Sequence, residues 1–227
     1  MISLVLAAAF FVGIHIFISG TSLRRTIVAR TGEAGFQRLF SLLSLGGLVW
    51  IGWAYHRAPL RDLWGKVHAF RPAALVLMLI ACLFVAVGLT TPSPTVVGGE
   101  AQLDRDEPVQ GILRITRHPF LWGVAIWAFA HVVLNGDAAS LVLFGSLLLL
   151  ALFGPLFIDA KRQQRFGDKW ERFAHATSNV PFAAIIQGRN ALRLAEFGWW
   201  RVAVGLVLYV VLLLSHRWLF GASPLPI

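Results

Sequence analysis

The sequence predicts an all-α polytopic membrane protein with six transmembrane helices and one amphipathic interfacial helix. Three observations carry this. Hydrophobic residues make up 57% of the 227 residues and charged residues only 14%, whereas a soluble domain carries about a quarter charged. The apolar residues fall into runs long enough to cross a bilayer core of ~30 Å. Lysine and arginine collect in the short segments between those runs, where cations anchor a chain beside anionic lipid. The net charge of +9 therefore points to a membrane surface and not to nucleic acid.

The elements follow in order. Ile2–Ser19 is apolar, lacks a basic leader and is followed by Arg24 and Arg25, which marks a retained span rather than a cleaved signal. His15 lies near its end, on a face with Ala8, Phe11 and Ser19. A basic connector, 21–37, leads to the second span, Phe36–Tyr55, which contains Gly46, Gly47 and Gly52 and ends at His56. Glycines in an apolar helix admit a close neighbour. Trp50, Trp53 and Tyr55 form an interfacial aromatic belt. A loop with Trp64 and His68 precedes the third span, Pro72–Thr91. Residues 90–110 form an irregular linker rich in Pro and Gly and then in acid.

The fourth span is Pro119–Leu134, with Pro119 at an allowed first-turn position. Asn135-Gly136-Asp137 is a turn, and the fifth span runs over Ala138–Ile158. In Asp159–Ala176, Phe166, Trp170 and Phe173 recur at helical spacing among Lys161, Arg162, Arg165, Lys169 and Arg172. That pattern predicts a helix lying in the headgroup plane. A Pro-containing interfacial loop follows, and Trp199–Phe220 is the last span. The whole chain, 1–227, reads as a single membrane domain. Most basic residues fall on one side when both termini are placed outside, although Arg57, Arg61, Lys66 and Arg71 oppose that orientation.

Chemistry enters through histidine. His131 sits inside the fourth span, where a titratable side chain is rare unless it serves a purpose. Gly123, Trp127 and His131 share a stripe at i, i+4 and i+8; a small residue, an aromatic wall and an imidazole suit a flat cofactor, and the plain alternative is a core histidine bonded to a backbone carbonyl. His15 is the other histidine well inside a span. Two such histidines on separate helices are the arrangement that holds haem b. With these boundaries the two differ in depth by several ångströms, which tilt absorbs; otherwise His56 is the better-placed partner. Arg117 and His118 stand where they would bind a cofactor carboxylate such as a haem propionate. His118 and His131 are about 220° apart around a helix and cannot share one metal. A lone Cys82 permits no internal disulfide and no Cys-rich metal site. Phosphate loops, GxSxG, HExxH and dinucleotide fingerprints do not occur. Asp159 is the one buried-looking acid, at a helix end near solvent, so carboxylate acid–base catalysis is poorly supported.

The blocks GILRITRHPFLWGVAIWAFAHVVLNGD and RFGDKWERFAHATSNVPFAAIIQGR, with His15, Ser22-Leu23-Arg24 and TGEAGFQRLFSLLSL before them, resemble the NnrU family of bacterial membrane proteins. The resemblance implies a bacterial inner-membrane location and a redox or accessory role in nitrite and nitric oxide metabolism (denitrification); a separate, non-enzymatic reading is an assembly partner of a membrane reductase. The same blocks are similar to the zeta-carotene isomerases. That similarity implies haem b, a hydrophobic carotenoid substrate, ligand histidines matching His15 and His131, and a further functional histidine matching His56. Those isomerases carry a cysteine where this chain has Ala128, so a His-to-Cys ligand exchange is not available here. A more distant similarity joins Arg117, His118, Pro119, Gly123, Phe166, Gly167 and Trp170 to isoprenylcysteine-type membrane methyltransferases, implying S-adenosylmethionine as an alternative cofactor. Leu121 replaces their tyrosine, and their paired glutamates are reduced to Asp159.

Overall fold

The computed structural model describes residues 1–18 and 23–225. Ser19, which closes the first predicted span, and Ser22 lie outside them. The described residues are helical apart from loops and one isolated bridge between Asp62 and Asp137. Helices α1 (Ile2–Gly13, continued by a wider turn over Ile14–Ile18), α2 (Leu23–His56), α3 (Arg71–Thr90), α4 (Pro119–Asn135), α5 (Ala138–Phe166), α6 (Asp168–Ala176), α7 (Ala183–Ile186) and α8 (Trp199–Phe220) follow in chain order.

Four helices are long and apolar enough to cross a membrane: Leu23–His56, His68–Thr90, Ala138–Phe166 and Trp199–Phe220. Ile2–Ile18 and Pro119–Asn135 are apolar but shorter. The six expected spans thus divide into four full-length helices and two short ones. In α8 only 6% of the apolar window is buried by protein. Its exposed Val204, Val207, Val211 and Leu214 recur at helical spacing. An uncovered apolar stripe of this length suits lipid, not water.

The chain forms two compact units. One comprises Met1–Phe70 and Ala128–Phe157; the other comprises Arg71–Trp127 and the chain from Ile158 onward. In the first unit Leu4, Ala7 and Phe11 of α1 pack on Ile51 and Ala54 of α2 and Ala139 of α5. The apolar i, i+3/i+4 spacing within each helix produces these faces. The loop after α2 is tied to the α4–α5 turn: Leu63 and Trp64 donate backbone N–H bonds to Gly136 O at 2.8 and 3.1 Å, and Ala138 N donates to Arg61 O at 2.9 Å. Gly136 has φ 63°, and a Cβ there would lie 2.0 Å from Gly65 O, so no other residue fits.

In the second unit α3 packs along α8 and, at Gly123, against α4. A Cβ on Gly123 would sit 2.7 Å from Val85 Cγ2 and 2.9 Å from Ala81 O. The missing side chain of Gly123 is therefore filled by α3 and not by a cofactor.

The expected headgroup-plane helix over 159–176 is corrected. α5 continues to Phe166, Gly167 (φ 50°) breaks the chain, and α6 begins at Asp168. The apolar face of α6 does not enter lipid. Trp170 and Phe173 are 2% and 1% exposed, packed with Leu103, Val109 and Leu113. Arg162 to Glu100 (2.6 Å) and Lys169 to Asp104 (2.5 Å) hold the 100–104 turn over that face. Each aromatic ring contributes about 1.5–3 kcal/mol by leaving water. The linker predicted as irregular is thus the lid of a small apolar core.

Candidate functional site

His15, His56 and His131 lie in the first unit. α4 ends at Asn135, and its Nδ2 donates to Ser140 Oγ at 3.0 Å. Tyr55 OH meets the same Ser140 Oγ at 3.0 Å. Asp137 Oδ1 accepts the Ser140 backbone N–H at 2.9 Å, capping the start of α5. One turn inward from this polar layer, the His131 imidazole stacks on Phe144 with ring centroids 4.7 Å apart. Phe144 also meets Tyr55 edge-on at 6.1 Å. Sequence reasoning missed Tyr55, Asn135, Ser140 and Phe144 as neighbours of His131. The Asn-Gly-Asp turn with a serine three residues on is the local signal, since it marks a capped helix start.

His15 lies elsewhere along the bundle. Its Nδ1 is 2.7 Å from Phe11 O, and its ring meets Phe40 at 5.0 Å. That backbone bond places the proton on Nδ1 and the lone pair on Nε2, the tautomer a metal ligand needs. Its depth is wrong for a pair with His131. Phe40 and Tyr55 are separated along α2 by about 22 Å at ~1.5 Å per residue, and His131 is about 6 Å inward of the Tyr55 layer. The two imidazoles therefore differ in level by roughly 15 Å. Metal–nitrogen bonds of about 2 Å cannot bring both to one iron. His56 follows Tyr55 by about 100° around α2 and is exposed. The structure thus brings neither His15 nor His56 to His131. Among the described residues no group of three or more His, Cys, Asp or Glu side chains gathers as a metal site.

The second unit holds a different constellation. Arg117 donates to Asp159 Oδ2 from Nε at 2.8 Å and from Nη2 at 2.5 Å. His118 Nε2 lies 2.7 Å from Asp159 Oδ1. The whole Arg-His-Pro segment is clamped in place. Arg117 N donates to Ser178 O at 2.9 Å, Thr116 Oγ1 to Asn179 O at 2.6 Å, and Trp122 Nε1 to Asn179 O at 2.8 Å. Thr95 Oγ1 donates to Arg117 O at 2.9 Å. Upstream, Arg114 forks onto Glu196 with bonds of 2.7 and 2.8 Å, and Gly111 N adds a third at 3.0 Å. Hydrogen bonding from Arg114 chiefly pushes the Glu196 carboxyl down to about 2.

His118 is 3% exposed. Burial dominates its titration and lowers its pKa, with Asp159 opposing and Arg117 adding to the depression. A carboxylate oxygen only accepts, so the His118 Nε2 that faces Asp159 Oδ1 carries a proton. The expectation that Arg117 and His118 hold a cofactor carboxylate meets a carboxylate that the chain itself supplies. The helix-end acid Asp159 is the hub of a partly buried triad, its side chain 17% exposed and that of Arg117 15%. Gly123 and Trp127, predicted beside His131, belong to this second unit. An apolar cleft of about 120 Å³ adjoins the triad, lined by Gly88, Ser93, Thr95, Val96, Pro119, Phe120 and Leu121 with His118 and Ile158.

Comparison with known proteins gives partial matches to two curated relatives. The chain is 40% identical over 82 residues to the chloroplastic 15-cis-zeta-carotene isomerase of Zea mays, covering 36% of this chain and 22% of that one. Against the chloroplastic 15-cis-zeta-carotene isomerase of Arabidopsis thaliana it is 38% identical over 82 residues, with the same coverage. The chain thus spans about a fifth of the length of these relatives. No solved structure matches. The family model described as "NnrU protein" matches residues 3–224. With apolar spans, a histidine inside one of them and a match over nearly its whole length, the chain belongs to the NnrU protein family.

Proposed function

We propose that this membrane protein acts on a long apolar polyene dissolved in the bilayer, as an isomerase-like enzyme, and that His131 holds haem b. The observation that carries the reading is the 40% identity to a carotene isomerase, in a chain that sets an imidazole inside an apolar helix against Phe144. When bound, the haem would supply an iron whose redox state switches the site. The chain's own part is narrower. His131 would ligate, Phe144 fixes the ring plane of His131 by stacking, and the Tyr55–Ser140–Asn135 layer closes the outer end with satisfied hydrogen bonds. His15 stands roughly 15 Å away in depth by helix rise.

The test is an absorption spectrum of protein purified in detergent after expression with ample haem. The expected result is a Soret band that disappears in His131→Ala and persists in His15→Ala. A colourless wild-type protein, or a band unchanged in His131→Ala, sinks the proposal. One observation favours a second role. The chain belongs to the NnrU protein family, and a haem held by His131 would then supply a site for nitric oxide or a partner reductase's product in nitrogen-oxide metabolism. Titration with nitric oxide separates the two: a shifted band with no polyene turnover selects the second.

A further inference from the structure

The first turn of α8, one of the four membrane-length apolar helices, carries an arginine that the fold leaves without a counter-charge. The nearest acid in sequence is already taken. Glu196 holds Arg114 at 2.7 Å, Arg193 at 3.4 Å and the Gly111 N–H at 3.0 Å. Arg189, in the preceding loop, donates to Gln187 Oε1 and Thr177 O at 2.8 and 2.7 Å. Arg201 is different. Its guanidinium carbon lies 5.1 Å from the centroid of the Trp200 ring, and its Nε is buried with no acceptor. Among the described residues the Arg201 side chain makes no hydrogen bond and no ion pair, and the Trp200 indole N–H meets no acceptor either. Both donors border one spot. A Cβ built on Gly198 would lie 3.1 Å from Arg201 Nη1 and 3.5 Å from Trp200 Nε1. Glycine leaves that spot without a side chain. An unpaired cation at the edge of hydrocarbon is costly, and an anion arriving there relieves the cost.

We propose that this turn binds the phosphate of an anionic phospholipid, with Arg201 Nη1 and Trp200 Nε1 donating to its oxygens and an acyl chain lying along α8. The helix offers the second half of that ligand. Trp200, Val204, Val207, Val211 and Leu214 recur at helical spacing, and all are exposed. From Trp200 to Leu214 this stripe runs about 21 Å at ~1.5 Å per residue, which covers one leaflet's share of a ~30 Å core. A cation above an apolar stripe matches an anion above a hydrocarbon chain. A zwitterionic lipid carries its own cation beside the phosphate and gains less from Arg201, and a soluble phosphate leaves the stripe unused. The site lies wholly in the second unit and needs neither haem nor polyene, so it stands or falls apart from the function proposed above.

The experiment is native mass spectrometry of the full chain released from detergent micelles, titrated with phosphatidylglycerol or with phosphatidylcholine of identical acyl chains. The first phosphatidylglycerol should bind about fivefold more tightly than the first phosphatidylcholine. In Arg201→Gln that preference should fall to unity. Arg217→Gln, which removes the same charge at the far end of α8, should keep it. Trp200→Phe keeps an aromatic ring, loses the N–H and should weaken phosphatidylglycerol binding roughly threefold; this variant keeps the test open should Arg201→Gln not fold. Equal affinity for the two lipids in the wild type overturns the proposal. So does a preference that survives in Arg201→Gln, one that falls as far in Arg217→Gln, or wild-type binding in Trp200→Phe. Displacement of the bound lipid by equimolar inorganic phosphate assigns the site to a soluble anion and overturns it too.

Discussion

Replacing Asp159 by Asn changes one atom's chemistry and tests the triad directly. Asp159 accepts three hydrogen bonds, two from Arg117 on Oδ2 and one from His118 on Oδ1. The Arg117 and Asp159 side chains are 15% and 17% exposed and His118 is 1% exposed, so solvent screens the group weakly. Asn keeps one acceptor oxygen and places an NH₂ where the other stood. With the oxygen toward Arg117, the guanidinium keeps its bonds but loses its counter-charge. Removing one partner of a buried pair costs about 3–5 kcal/mol; the residual exposure brings this to roughly 2–4 kcal/mol. At about 2–4 °C per kcal/mol, the melting temperature in detergent should fall on the order of 10 °C. Arg117→Leu with Asp159→Leu removes both charges and should recover most of that loss. There is a second consequence. The Asn NH₂ would donate to His118 Nε2, which moves the imidazole proton to Nδ1. A melt within 2 °C of wild type would refute the reasoning that Asp159 is the counter-charge of Arg117.

Two further outcomes are expected. The Glu196 carboxyl is held at about 2, against 4.5 unperturbed. Its stabilisation is therefore fully present above about pH 4.5 and is lost as pH falls toward 2. Glu196→Gln should cost roughly 2–3 kcal/mol at neutral pH, and the gap between wild-type and variant melts should close on acidification; a gap constant from pH 6 to pH 2.5 would contradict the Arg114 fork. Gly123→Ala would place a Cβ 2.7 Å from Val85 Cγ2 and 2.9 Å from the Ala81 carbonyl oxygen. Because helix backbone cannot yield, a loss of about 1–3 kcal/mol is expected by thermal melting, and a neutral result would mean that α3 and α4 do not approach there.

Much of the architecture was legible in the chain's own pattern. Apolar length and intervening arginines announce the spans, and Gly136 between Asn135 and Asp137 announces the turn before α5. The Arg-His-Pro segment and the intramembrane His131 were legible as the places to look. The partners were less so. Lys161, Arg162, Phe166 and Trp170 have the alternation of a surface helix, yet the apolar side of α6 is covered by Leu103 and Val109 from a linker with no helical signature. Gly123 and Trp127 share a stripe with His131 along α4, but α3 claims that glycine.

Sequence by itself determined that this is a helical membrane protein of the NnrU type, because hydrophobic run length, charge placement and family motifs are properties of the chain alone. Tertiary structure decided that His15 and His131 stand at different levels, and that Asp159 is the shared acceptor of Arg117 and His118. The reason is physical. Helical periodicity states which side chains share a face, but depth along a bundle and the identity of the opposing atom depend on how separate helices slide and pack, which no single stretch of sequence contains.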